Sequence, residues 1–310
     1  MLDAGGKLAI KIIKMKKIVL YTAVLAFAVA CKKGNLDSLA FYGEYLEAYE
    51  FENYAAGDEA VPAEYAVTAA NRTLVSMESI DEETGESFTI YGVYIGDIST
   101  IATDTVILYA HGQAAHLDAY WPRATLLSSI TEQYNYGVFM MDYRGFGMSE
   151  GASSESGLIE DVNTSINWLV DQGATAERTI YYGFSLGCIP IIDRAANRAD
   201  FQPAKVIIES PLASVANLTQ RSLLLNVNPK SITNLEFENA ENIKDVYMPL
   251  LWLHGIDDDY IAIQNGELIY ENYGGVYKDA ERVVGGHHGD IPKTMGYANY
   301  IKRLRDFIEL

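Results

Sequence analysis

From about residue 73 to the C-terminus, short runs rich in Val, Ile and Tyr alternate with segments of helical period. This alternation limits the fold more than any other feature of the chain. The apolar runs are residues 88–95, 105–110, 137–141, 179–183, 204–208 and 248–253, with another at 282–284. Between them, residues 156–169 carry Leu158, Ile159, Val162, Ile166 and Leu169 at helical spacing, and residues 297–308 form a second such segment. Strands that read as continuous apolar runs are buried on both faces, the condition of a parallel sheet covered by helices. The expected fold class is α/β, with a mostly parallel central sheet and helices on both faces.

Candidate chemistry falls at strand ends. Gly183-Phe184-Ser185-Leu186-Gly187 follows one apolar run and leads into an apolar helix containing Cys188, Ile189, Ile191 and Ile192. The spacing Gly-x-Ser-x-Gly between a strand and a helix is a nucleophile-elbow pattern. A sharp turn lifts the serine hydroxyl clear of the sheet, the glycines remove Cβ atoms where the chain is crowded, and the helix N-terminus favours nearby negative charge. Pro190 falls early in that helix and would remove one of its hydrogen bonds.

Two later segments supply an acid and a base. Leu253-His254-Gly255-Ile256-Asp257-Asp258-Asp259 ends the 248–253 run, and Val284-Gly285-Gly286-His287-His288-Gly289-Asp290 follows the last one. Each alone reads as a solvated loop. Both at strand ends, in the order Ser, Asp, His, fit a relay in which a base activates the serine and an acid orients the base.

With these segments in place, the chain from about residue 65 onward resembles a serine hydrolase of the α/β-hydrolase superfamily. Tyr109-Ala110-His111-Gly112-Gln113 is similar to that family's His-Gly turn after the third strand, and Asp142-Tyr143-Arg144-Gly145-Phe146-Gly147-Met148-Ser149 to its Asp-Tyr-Arg-Gly loop. The resemblance implies Ser185 as nucleophile, His288 as base and Asp258 as its orienting acid. Asp257, Asp259 and His287 stay open as alternatives. It also implies the backbone N–H groups of Gln113 and Leu186 as oxyanion donors, with His111 shaping that loop. Asp290 is expected to fasten the last loop or cap the final helix. Asp142 and Arg144 are expected to be structural, His116 a surface residue, and Cys188 a small buried hydrophobe. Such a relay works through an acyl-enzyme without a cofactor, and no metal-ligand pattern stands out in the sequence.

Residues 1–31 look like an address. Lys14, Lys16 and Lys17 precede an apolar run at 18–30, too short to span a bilayer, and Ala28-Val29-Ala30-Cys31 resembles a bacterial lipobox with Ala28 where Leu is preferred. The implied mature protein would be exported and held to the cell envelope by a lipid on Cys31. Residues 32–64 read as a tether followed by an acidic, aromatic segment, with Phe41, Tyr42, Tyr45, Tyr49, Phe51 and Tyr54, expected to pack on the 65–310 domain.

A net charge of −19 over 310 residues argues against nucleic-acid binding. Residues 210–245 carry Leu212, Val215, Leu218, Leu223, Leu224 and Leu225, enough for a small cap over a partly open pocket. The partner this suggests is a small acyl ester, a thioester or a short peptide. The reading places carboxylesterase-like activity first and peptidase activity second. A catalytically silent, lipid-anchored binding protein on the same fold is the reading from another class, and a broken relay would signal it.

Overall fold

A computed structural model of the chain describes residues 40–55, 60–130, 136–217 and 233–310. The address segment with Cys31, the tether to residue 39 and the leucines of 218–225 lie outside the described residues.

Eight strands form one sheet: β1 (Arg72–Ile80), β2 (Ser87–Ile95), β3 (Thr105–Ala110), β4 (Tyr136–Met141), β5 (Thr179–Phe184), β6 (Lys205–Glu209), β7 (Leu250–Gly255) and β8 (Lys278–Val283). Their order across the sheet is β8-β7-β6-β5-β3-β4-β2-β1. Only β2 runs against its neighbours, pairing antiparallel with β1 and β4; the remaining pairs are parallel. Among the described residues the helices of five residues or more are α1 (Leu117–Ser128), α2 (Glu155–Asp171), α3 (Cys188–Asn197), α4 (Gln264–Asn272), α5 (Ile291–Met295) and α6 (Tyr297–Ile308).

Two hydrophobic cores explain why the strands lack polar alternation. Val106 and Leu108 of β3 and Tyr181 of β5 pack with Leu158, Val162 and Ile166 of α2 and with Ile191 and Ile192 of α3. Ile107 and Tyr109, with Ile180 and Tyr182, point to the other face and pack with Leu117 and Trp121 of α1 and with Ile301, Leu304 and Phe307 of α6. Alternation is present in the pleat, but both sides are dry.

The winding decides where a site forms. From β3 the chain crosses through α1 to β4 on one side, then returns through α2 over β3 to β5 on the other. The helices that follow the neighbours β3 and β5 therefore leave on opposite faces, opening a crevice at the C-terminal ends of these two strands.

The N-terminal segment is fastened to the loop after β3 and to α1. Tyr42–Gly43 pairs in parallel with Ala114–Ala115 in the loop after β3, and the Tyr42 N–H donates to the Gln113 carbonyl at 2.8 Å. Further along, the Glu50 and Phe51 N–H groups donate to the Asp118 carboxylate at 2.8 and 2.7 Å. Around residues 210–245, the described parts hold a helical turn at 215–217 and a short helix, Asn239–Asn242. No helix among the described residues is long and apolar enough to cross a membrane.

Candidate active site

Ser185 sits at the end of β5 with φ 53°, in the left-handed region that costs a residue with a Cβ about 1–3 kcal/mol. The turn Ser185–Gly187 runs directly into α3, so the Leu186 N–H lies in the first turn of a helical stretch, where N–H groups have no partner further back in the helix. Gly187 is required by contact with the neighbouring strand: a Cβ there would stand 2.0 Å from the Ala110 carbonyl oxygen and 2.7 Å from that of His111. The elbow is thereby pressed against the loop that carries Gln113.

His288 joins the serine to the acid. Its Nε2 lies 2.9 Å from Ser185 Oγ and its Nδ1 lies 2.9 Å from Asp258 Oδ2. With a carboxylate facing Nδ1, that nitrogen carries the proton and Nε2 is left to accept from the serine hydroxyl. The two loops meet because Gly255 lets them: a Cβ at 255 would fall 2.1 Å from the Gly286 carbonyl oxygen. The Asp257 N–H then donates to that same carbonyl at 3.1 Å.

The neighbouring candidates point elsewhere. Asp257 accepts from the Gly285 N–H at 3.0 Å, while Asp259 and His287 face each other in solvent at 3.8 Å. Asp290 fastens the histidine loop by accepting from the His287 N–H at 2.7 Å.

Asp258 is buried, and burial alone would raise its pKa. Hydrogen bonds from His254 and His288 outweigh that cost, with backbone help, and hold the carboxyl well below the usual carboxylate range. The Tyr260 and Ile261 N–H groups donate to Oδ1 at 2.9 and 2.7 Å. His254 Nε2 stands 3.3 Å from Oδ2 and 3.0 Å from the Ile261 carbonyl. Trp252 Nε1 is a donor only and reaches His254 Nδ1 at 3.3 Å, so the His254 proton is on Nε2.

The loop after β3 is built around His111. Its Nδ1 meets the Gly112 carbonyl at 2.8 Å and its Nε2 meets Asp142 at 3.1 Å, while Tyr143 donates to the His111 carbonyl at 2.9 Å. Tyr49 of the N-terminal segment donates to the same Asp142 carboxylate at 2.7 Å and accepts from the Met148 N–H at 3.1 Å. Arg144 is buried against Asp161, Glu160 and Asp81, and it ties the 142–149 loop to α2 and the end of β1. His116, expected at the surface, is 2% exposed; it immediately precedes α1 and meets Tyr54 edge-on. The N-terminal segment covers it.

One buried cluster leaves no motif in the sequence. Arg123 of α1 donates to Glu209, at the end of β6, at 2.5 Å and to the Gly289 carbonyl, next to His288, at 3.0 Å. Tyr182 and Tyr300 both donate to the other Glu209 oxygen, and burial with the Glu209 charge pushes both phenols up. Cys188 lies beside them, fully buried, its thiol raised by that burial and donating to the Gly183 carbonyl at 3.1 Å. Its residues are drawn from α1, β5, α3, β6 and α6, so only the sheet brings them together, and Cys188 alone among them is expected from its apolar surroundings to be buried.

Similarity to known proteins agrees with this geometry at the level of family. A family model described as serine aminopeptidase, S33, matches residues 102–243. An esterase of Pyrococcus furiosus shares the fold at a TM-score of 0.61 and 17% identity, covering 76% of this chain and 90% of that one. The alpha/beta hydrolase domain-containing protein 17C of Xenopus tropicalis is 30% identical over 207 residues, 65% of this chain and 61% of that protein. The uncharacterized protein YfhR of Escherichia coli K12 is 30% identical over 243 residues, 75% of this chain and 81% of YfhR. The chain belongs to the α/β-hydrolase superfamily. In this chain the matched region begins just before β3 and runs past the elbow, whereas the Asp258 and His288 loops lie beyond it.

Proposed function

We propose that the protein is a serine hydrolase that cleaves an acyl ester, thioester or amide through Ser185, His288 and Asp258, with carboxylesterase-like activity as the leading reading. The observation that carries it is the continuous hydrogen-bonded line from Ser185 Oγ through the His288 ring to an ionised Asp258, at a serine held in the left-handed region.

The reaction follows from that line. Ser185 Oγ attacks the substrate carbonyl carbon while its proton passes to His288 Nε2. The developing oxyanion is met by the N–H groups of Leu186 and Gln113. As the tetrahedral adduct collapses, the bond to the leaving group breaks and His288 returns its proton to the departing atom. Water then attacks the acyl-serine and gives a proton to His288; as this second adduct collapses the bond to Ser185 Oγ breaks, Oγ takes the proton back from His288, and the acid leaves. Asp258 stays ionised throughout and stabilises the imidazolium.

The description of the matching family model favours a second reading, an aminopeptidase. Hydrolysis of 4-nitrophenyl butanoate measured beside aminoacyl 4-nitroanilides separates the two. Ester turnover lost in Ser185→Ala supports the first reading, and anilide turnover alone supports the second. No turnover of either by folded protein contradicts both. Export and lipid attachment at Cys31 belong to the same proposal and rest on residues 14–31; incorporation of radiolabelled palmitate that disappears in Cys31→Ala tests them.

A further inference from the structure

Tyr260 follows the acid loop but does not stay there. Its backbone N–H is tied to Asp258 at 2.9 Å, and its ring lies 4.9 Å from the His288 ring, centroid to centroid. Its hydroxyl accepts a hydrogen bond from the Gln113 side-chain amide, on the opposite loop. Tyr260 therefore bridges the acid loop to the loop after β3. It is 51% exposed, whereas Phe184, the other ring beside His288 at 5.2 Å, is buried in the sheet.

In the chemistry proposed above, on which this inference rests, the position of the leaving group is dictated by the proton it must receive. The departing atom has to come within hydrogen-bond reach of His288 Nε2, about 2.6–3.2 Å. Whatever that atom carries must then extend beside the imidazole. Of the two rings beside the imidazole, Phe184 is held in the core and Tyr260 is half exposed, so the substituent's way out runs past Tyr260 and its bond to Gln113.

We propose that the Tyr260–Gln113 bridge walls the leaving-group side of the site and makes Tyr260 a specificity-determining residue that favours acyl donors with small leaving groups. A bulky leaving group must swing the ring outward and break the bridge before His288 can protonate it. The acyl chain, bonded to the other side of the carbonyl carbon, does not encounter Tyr260. The Gln113 backbone N–H keeps its own role when the side-chain bond is lost.

The test compares kcat/KM for methyl and cyclohexyl butanoate, and for methyl butanoate and methyl octanoate, by acid release at constant pH in the full-length protein. Tyr260→Ala is expected to raise the cyclohexyl-to-methyl ratio about tenfold while the octanoate-to-butanoate ratio shifts by less than about twofold. Tyr260→Phe, which loses only the hydroxyl, is expected to raise the first ratio by about two- to threefold, and it serves as the test if the alanine variant does not fold. An unchanged leaving-group ratio, or an acyl-chain ratio that moves as far, overturns the wall while leaving the hydrolase reading intact. A folded parent that cleaves none of the esters overturns the carboxylesterase-like reading underneath it, and the wall with it.

Discussion

His254 stands 3.3 Å from the same Asp258 carboxylate oxygen that meets His288 at 2.9 Å. The acid is thus held from two sides, and its geometry is fixed before any substrate arrives. Replacing His254 by Gln should lower kcat with little change in KM. A hydrogen bond to a charged group contributes about 1.5–3 kcal/mol, so the expected loss is about ten- to a hundredfold. Steady-state kinetics check this, and a change confined to KM would argue that His254 acts on binding instead.

The depressed pKa of Asp258 makes a statement about stability. Its folded-state value lies below the unfolded value of about 3.9, so the ionised carboxylate favours the fold above that pH, and the contribution disappears as pH falls toward the folded value. Thermal melting of the parent and of Asp258→Asn should therefore differ by a constant amount above about pH 4 and converge progressively as pH falls below that toward the folded value. At pH 7 the same variant should lose about 10³–10⁴-fold in kcat, because its amide can hold the wrong His288 tautomer.

Tyr49 ties the N-terminal segment to Asp142, and Asp142 holds His111 in the loop that carries Gln113. Tyr49→Phe leaves an Asp142 oxygen and the Met148 N–H without this partner, a loss of about 1–3 kcal/mol. The expected outcome is a melting temperature lowered by a few degrees together with a fall in kcat. An unchanged kcat would show that the segment stabilises the fold without positioning the loop.

Arg123 and Glu209 are both buried, and each is the other's charge partner. Removing one side alone leaves an uncompensated charge, at about 3–5 kcal/mol. Denaturant unfolding should therefore find Glu209→Gln and Arg123→Met each more harmful than the Arg123→Met, Glu209→Gln double variant. Strict additivity would refute the coupling.

What was legible in the sequence follows from how locally each feature is determined. Strand β3 occupies the run at 105–110 and α6 the segment at 297–308, because both are specified by apolar periodicity within their own span. Strand β1 gives no such signal: it is an edge strand in which buried Val75, Met77 and Ser79 alternate with exposed Leu74, Ser76, Glu78 and Ile80, so it never forms a continuous apolar run. Helix α1 was obscured by Pro122 and by the buried Asp118 and Arg123, whose partners lie 67 or more residues away. The candidate serine, acid and base could be read because each sits in a turn with glycine at fixed offsets. Tyr260, His254, Arg123 and Glu209 could not, since their roles depend on which loops the sheet brings together. The burial of His116 is illegible for the same reason, its cover coming from Tyr54, 62 positions earlier in the chain.

The most direct test of an activated serine is labelling of the full-length protein with a fluorophosphonate probe, beside Ser185→Ala, Asp258→Ala and His288→Ala. Labelling of the parent that vanishes in Ser185→Ala and collapses in the other two is the expected result. A folded parent that takes up no probe, or a Ser185→Ala variant that labels as strongly as the parent, would contradict the assignment of Ser185 as the nucleophile.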